Sequence, residues 1–278
     1  MKTMNAFTVM TLGLTLWLMF GAVGFFLAGT IGLLAAAGMT AGLLVLAYVA
    51  GPRYLLWTSK AVPLDDPVIT ELAARQALNR HIEVPRLYFM DSNLPNAFSV
   101  AWSRDRSSIA LTTGLMEQLD DHEIEAVLAH EIEHIATCTT VARNVVAFLT
   151  APLSAIASRA FVYGYLKYRN TNKQKGLLSA IAALLIVPFA AILVHITISP
   201  KDTFKADYRA MLVLQYPDSL ASAIRKINKK ILEQPSAGGN ANAHMWFANP
   251  FGRSWFNQFF VVHPSADNRI DELMLFYD

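Results

Sequence analysis

From Ala6 to Gly51 the chain carries no charged side chain. An apolar run of that length accommodates two membrane spans of about 20 residues each, and Gly29-Thr30-Ile31-Gly32 is the natural turn between them. A cleaved signal peptide would have an apolar core of only about 7–15 residues, and here the apolar stretch continues past any plausible cleavage point. The pattern therefore predicts a transmembrane hairpin over residues 1–56. A second apolar region extends from Val145 to Ser199. Within it GLLSAIAALLIVPFAAILVHITIS (176–199) is long enough to span, and Pro188 is tolerable in a membrane helix. Arg159 interrupts the partner segment 145–166, and the loop KYRNTNKQKG between the two carries Lys167, Arg169, Lys173 and Lys175. With the first hairpin oriented by its own flanking charge, that basic loop runs against the positive-inside rule. A second apolar hairpin over 144–199 is the expectation that follows.

Two stretches have soluble character, 57–143 and 200–278. In the first, PLDDPVITELAARQALNRH has apolar residues at helical spacing, with Asp65 and Asp66 as cap candidates. PRLYFM (85–90), NAFSVAW (96–102) and SSIALTT (107–113) are short, apolar and β-branched, and the polar turns DSNLPN and SRDR separate them. They predict a small antiparallel sheet. LDDHEIEAVLAHEIEHIAT then reads as a helix in which Asp120 and Glu123 have capping-box spacing. In the second stretch, KADYRAMLVL and DSLASAIRKINKKIL form two helices joined at Tyr216-Pro217-Asp218, followed by the loop PSAGGNANAHMWFANPFG and a terminal helix within HPSADNRIDELMLF. The fold class is thus an α+β membrane protein, mainly helical, with a small sheet packed on the histidine-bearing helix.

Composition agrees with this division. Hydrophobic residues make up 54% of the 278, and a mean hydropathy of +0.35 is too apolar for a soluble domain of that length. Lys2 precedes the first span, while Arg53 and Lys60 follow the second, which places both ends of the hairpin at the cytoplasmic face. A net charge of +2, without basic stretches interleaved with aromatics, argues against nucleic-acid binding. The single cysteine, Cys138, excludes an intramolecular disulfide.

The candidate chemistry lies in AHEIEH, residues 129–134. Positions i and i+4 share one face of a helix, so His130 and His134 can point ring nitrogens at a single metal. Glu131 then sits beside that metal, free to take a proton from water, which is the H-E-x-x-H arrangement of metalloproteases. The plain alternative is a solvated helix that carries histidines among its acids. Cys138 continues the same stripe, but eight residues of helix rise about 12 Å, so it cannot share a metal with His130. It reads as a small buried packing residue.

The run NAFSVAWSRDRSSIALTTGLMEQLDDHEIEAVLAHEIEHIA resembles the core of the HtpX-type membrane zinc metalloproteases, relatives of the CAAX prenyl proteases. The ending AHMWFANPFG…HPSADNRIDEL is similar to that family's asparagine-proline loop and terminal helix. The resemblance implies a Zn2+-dependent endopeptidase in a prokaryotic cell membrane, multi-pass, with a cytoplasmic catalytic part, membrane or misfolded polypeptides as substrates and a role in quality control. It implies His130 and His134 as ligands, Glu131 as general base and His263 as an oxyanion-stabilising group. It also implies a glutamate as third ligand in a Glu-Phe-x-Ala-Asp sequence. Here that stretch reads DTFKAD: Phe204, Ala206 and Asp207 match, and Thr203 stands at the ligand position.

A neutral threonine hydroxyl is a poor zinc ligand beside carboxylate, imidazole or thiolate. Asp202 offers a carboxylate, but one residue along a helix turns a side chain by about 100°. Asp207 lies on the same face as Thr203, one turn on, and could shift inward as a substitute ligand, although in the family it acts beside the ligands, orienting a histidine. The site could also hold zinc weakly or not at all, which makes a membrane-protein-binding scaffold the rival to the protease. A transporter-like bundle has too few spans for so large a soluble portion. Asn96, Ala97 and Phe98 open a candidate edge strand along which an extended peptide could pair, although an ordinary turn asparagine reads equally well. His195 is an intramembrane histidine near a segment end, His244 belongs to loop packing, and His81 and His122 are surface residues.

Overall fold

The structure is a computed structural model that describes residues 6–153, 188, 190–234, 245–250 and 262–275. Helix α1 (Ala6–Thr58) is broken at Ala28 (φ −143°, ψ 21°) and Gly29 (φ 58°, ψ −138°). The positive φ of Gly29 is a conformation that side chains with a Cβ resist, and it lets the chain fold back on itself. Gly24 and Gly32 then meet so closely that a Cβ on either would strike the other's carbonyl. Above them Trp17 Nε1 donates to the Leu33 carbonyl at 3.4 Å, and Gly13 faces Leu44. The outer faces stay exposed at Phe26 (89%), Leu27, Ile31 and Leu34. By length and composition α1 is the one helix among the described residues able to cross a membrane.

Most of the second apolar region, including Arg159 and the basic loop, lies outside the described residues, as does His244. Its two described ends, α5 (139–153) and α6 (190–197), pack through Val145, Val146, Leu193 and Val194 against Leu12 and Leu16 of α1.

The sheet contains β1 (Val62–Pro63), β2 (Arg86–Met90), β3 (Ala97–Ser103) and β4 (Arg106–Thr112), in the order β1-β2-β4-β3. β3 and β4 form the antiparallel hairpin expected around SRDR, but β2 and β4 run parallel, with Tyr88 opposite Ala110. The sheet is therefore mixed, which corrects the all-antiparallel expectation. The reason is the DSNLPN segment. It does not turn β3 back beside β2 but carries the chain past it, so that β4, buried from Ser107 onward, inserts between the two. Hydrogen bonds hold the segment there: Gly114 N to Ser92 O (2.8 Å), Ser92 N to Thr113 Oγ1 (3.0 Å) and Asn96 N to Thr112 Oγ1 (2.8 Å). Gly114 has to be glycine, because a Cβ would run into the Asn93 carbonyl.

Behind the sheet come α2 (Pro67–Asn79), capped by Asp66; a short α3 (Thr113–Gln118); and α4 (Asp121–Ala136), capped by the complete Asp120/Glu123 box. Helices α7 (Pro200–Met211), α8 (Asp218–Glu233) and α9 (Ala266–Met274) close the other side. Helix α4 is the axis, and it is not a solvated helix. Its three acids besides Glu131 and those of the first residue are buried and paired: Glu123 with Ser222 and Lys226, Glu125 with Gln76 and Arg75, Glu133 with Arg80 and Arg209. Ion pairs of this kind resist being broken, since removing one partner leaves a buried charge unmet. A single apolar core joins Ile69, Leu111, Ile132, Leu220, Ile224 and Leu273, so the two soluble stretches form one body.

Candidate active site

His130 and His134 are buried at 0% and 1% exposure, on the face of α4 turned toward α7. Their rings stand edge to face with centroids 4.7 Å apart. Each Nδ1 is held from outside the pair. His130 Nδ1 lies 2.7 Å from Asp207 Oδ1, and His134 Nδ1 lies 2.8 Å from Thr139 Oγ1. Thr139 directs its own hydroxyl proton to the His134 carbonyl (3.1 Å), which leaves its oxygen to accept an Nδ1–H. Both rings are thereby set in the tautomer whose lone pair is on Nε2. The two Nε2 atoms are buried without a hydrogen-bond partner among the described residues.

Glu131, fully buried, completes this arrangement. Its Oε2 accepts from Ser99 Oγ at 2.6 Å, and Ser99 in turn contacts Thr140 at 3.1 Å. Its Oε1 is buried with no partner among the described residues. Two imidazole nitrogens and one carboxylate oxygen, all from α4, are thus left unsatisfied. Buried polar atoms rarely stay so, and a metal ion with solvent is the group this set fits. Burial is the largest influence on His134 and pushes its pKa well below 6.5, with the charge of Arg143 next, followed by His130, His263 and Arg269. A neutral imidazole is the form that ligates metal.

The third position is where the site departs from a complete zinc centre. Thr203 on α7 is buried at 1%, and its Oγ1 accepts from Arg143 Nη2 at 3.4 Å. Asp202 also exerts its charge on Arg143, and it lines a small pocket with Thr137, Cys138 and Thr139. Burial lowers the Arg143 pKa, with Glu131 and then Asp202 opposing that shift. Asp207 is fully engaged: its two oxygens accept from Arg269 Nη2 and Nε at 2.7 Å each, and Oδ1 also meets His130. Arg269 further donates to the Phe247 carbonyl at 2.8 Å, and the Phe247 ring stands edge-on to His130 at 4.9 Å. Among the described residues no group of three His, Cys, Asp or Glu side chains converges as a ligand set. The two Nε2 atoms are the groups that would hold a metal, and Asp207, taken up by Arg269, does not add a third.

His263, half-buried just before α9, is within electrostatic reach of His134. Ala97 and Phe98 lie on the edge strand β3 and Asn96 directly precedes it, but all three are spent on the chain's own residues 246–248. Asn96 Nδ2 donates to Ala248 O at 2.7 Å and Oδ1 accepts from Ala248 N at 3.1 Å; Phe247 N donates to Ala97 O at 2.8 Å; Phe98 bridges Trp246. His195 is exposed, and it lies in α6 away from this cluster. Cys138 is buried, with a left-handed φ of 62° just beyond α4.

Four partners of the site were not read from the sequence: Ser99, Thr139, Arg143 and Arg269. Arg269 had a visible signal in the Arg-Ile of the terminal motif. A lone serine, threonine or arginine thirty or more residues from its carboxylate, or on the far side of a helix end, carries none.

Comparison with known proteins agrees with the geometry. The model of peptidase family M48 matches residues 64–275, which takes in most of both soluble stretches. The chain is 31% identical over 281 residues to a protein described as "Protease HtpX homolog" from Campylobacter concisus (strain 13826), covering 97% of this chain and 96% of that one. It also superposes on the crystal structure of S. mikatae Ste24p with a TM-score of 0.51 at 15% identity, over 92% of this chain and 62% of the solved one, so the likeness there is one of fold. A buried H-E-x-x-H helix, a match over most of the chain and a relative of nearly equal length lead to one conclusion: the chain belongs to peptidase family M48 and is a metalloprotease.

Proposed function

We propose that this chain is a membrane-anchored zinc endopeptidase that hydrolyses peptide bonds of membrane or misfolded proteins at the cytoplasmic face. The observation that carries the reading is the joint burial of three unpartnered atoms, Nε2 of His130, Nε2 of His134 and Oε1 of Glu131, with the far side of each group already fixed. Zinc held by the two Nε2 atoms would act as a Lewis acid toward the scissile carbonyl and the attacking water. Glu131 uses its free Oε1 to take the proton from that water and later hands it to the departing amine. The Ser99 hydroxyl keeps Oε2 in place, so Oε1 keeps its aim through both transfers. His263 stands near enough to His134 to donate toward the developing oxyanion. Asp207, clamped by Arg269, holds the His130 tautomer.

The broken helix α1, its exposed apolar faces and the flanking Lys2, Arg53 and Lys60 support a multi-pass anchor with the site on the cytoplasmic side. Domain limits of 1–56, 57–143, 144–199 and 200–278 follow from this reading. A peptide substrate pairs with β3 at Asn96, Ala97 and Phe98 only by displacing residues 246–248 from that edge.

Thr203 favours a second reading, a relative that binds membrane-protein segments without cutting them. Its hydroxyl turned to Arg143 puts a cation, not a carboxylate, beside the third position. Zinc per chain, measured on detergent-purified protein alongside cleavage of an unfolded polypeptide, separates the two. Near-stoichiometric zinc with cleavage lost in Glu131→Gln supports the protease; cleavage unchanged in Glu131→Gln refutes the mechanism.

A further inference from the structure

The C-terminal end of α1 and the tip of the β3–β4 hairpin meet at one side chain, Trp102. Its indole Nε1 donates to the Val49 carbonyl at 3.0 Å, and Tyr48 Oη donates to the Trp102 carbonyl at 2.9 Å. Two guanidinium groups lie over the same ring: Arg106 at 4.6 Å and Arg53 at 5.8 Å from its centroid. Both arginines are exposed, and among the described residues neither has a carboxylate within ion-pair distance. Asp105 is adjacent in the turn, exposed, and pairs with neither. Arg80 and Arg209, by contrast, share the buried carboxylate of Glu133, whereas these two guanidiniums sit on one indole with no carboxylate among the described residues to meet their charge.

The height of this cluster is set by α1. The uncharged run ends at Pro52, Arg53 is the first charge after it, and Val45, Leu46 and Val49 just before it are exposed at 64%, 51% and 51%. Trp57, one turn further, is 76% exposed. Aromatic rings and arginines just beyond an exposed apolar helix are placed at the headgroup level of a bilayer. Two planar forks on a shared aromatic platform suit a phosphate, which each can bind through paired N–H donors.

We infer that Arg53, Trp102 and Arg106 form a binding site for the phosphate of an anionic phospholipid headgroup, bridging the membrane hairpin to the edge strand β3. The inference rests on the membrane-anchored reading of α1. β3 also carries Ser99, which holds Glu131, so the lipid contact bears on the strand that positions the catalytic base.

The test uses the full chain in nanodiscs of phosphatidylcholine with a minor fraction of phosphatidylglycerol, with retained lipid counted by native mass spectrometry after release. Wild type should keep phosphatidylglycerol over phosphatidylcholine, and Arg53→Gln/Arg106→Gln should lose at least fivefold of that preference while Lys60→Gln keeps it. Equal retention by wild type and the double variant overturns the site. Extraction of the chain from native membranes by alkaline carbonate is the companion measurement. A chain that washes off overturns the membrane reading and the site together, whereas a chain that stays in the bilayer without preferring the anionic lipid overturns the site alone. Both substitutions are at exposed positions, and an unchanged circular dichroism spectrum verifies that the variant is folded.

Discussion

Removing either half of the Asp207–Arg269 pair should destabilise the protein far more than removing both. Arg269 is 2% exposed and Asp207 1%, and two hydrogen bonds of 2.7 Å join them. Breaking a buried pair from one side leaves an unmet charge, at a cost of about 3–5 kcal/mol. The titration of Asp207 points to a similar scale. Burial raises its pKa, but the Arg269 guanidinium and His130 outweigh that and hold it at about 2 instead of 3.8. That difference is worth about 2 kcal/mol of folded-state stability. Because the carboxyl titrates lower in the folded chain than in the unfolded one, this contribution is complete above about pH 5 and is lost as pH falls toward 2. The assay is a double-mutant cycle of Asp207→Asn, Arg269→Met and the pair, each unfolded in mixed micelles and followed by far-ultraviolet circular dichroism. Each single change should cost about 3–5 kcal/mol, and the double, which leaves no buried charge unmet, should cost less than either single change. Asp207→Asn should also flatten the loss of stability between pH 5 and pH 2. Additive single costs, together with an acid limb unchanged in Asp207→Asn, would refute the reasoning.

Other outcomes follow from the same site. Thr203→Glu should raise bound zinc per chain, because a carboxylate there answers Arg143 and supplies the missing donor; elemental analysis showing no gain over wild type would sink this account. Glu131→Gln should lower kcat by about 10²–10⁴-fold with metal content unchanged, and a loss of metal instead would recast Glu131 as a ligand. Ser99→Ala removes one hydrogen bond to a charged group, worth about 1.5 kcal/mol or more, so kcat should fall about tenfold with KM preserved. Gly114→Ala should cost about 1–3 kcal/mol by forcing a Cβ into the Asn93 carbonyl, measured by the shift in midpoint of the same unfolding transition.

Much of the molecule was legible in the chain because local patterns carry it. The uncharged stretch 6–51 announced α1, the glycine at 29 marked its reversal, and the Asp120/Glu123 spacing marked the start of α4. The i, i+4 spacing put His130 and His134 on one face, since that follows from helix geometry alone. The order of the strands was not legible. Pairing β2 with β4 depends on how the 91–96 segment is tied to Thr112, Thr113 and Gly114, a set of contacts across some twenty residues. The same limit applies to the roles at the site. Sequence spacing selected which atoms could bind a metal, but only the folded chain decided that Asp207 is taken up by Arg269, that Ser99 and Thr139 hold Glu131 and His134, and that the edge at Asn96–Phe98 is already filled by residues 246–248. The physical reason is range: a helix repeats every few residues and so writes itself into its own sequence, whereas a buried charge finds its partner wherever packing brings one, and that distance leaves no local trace.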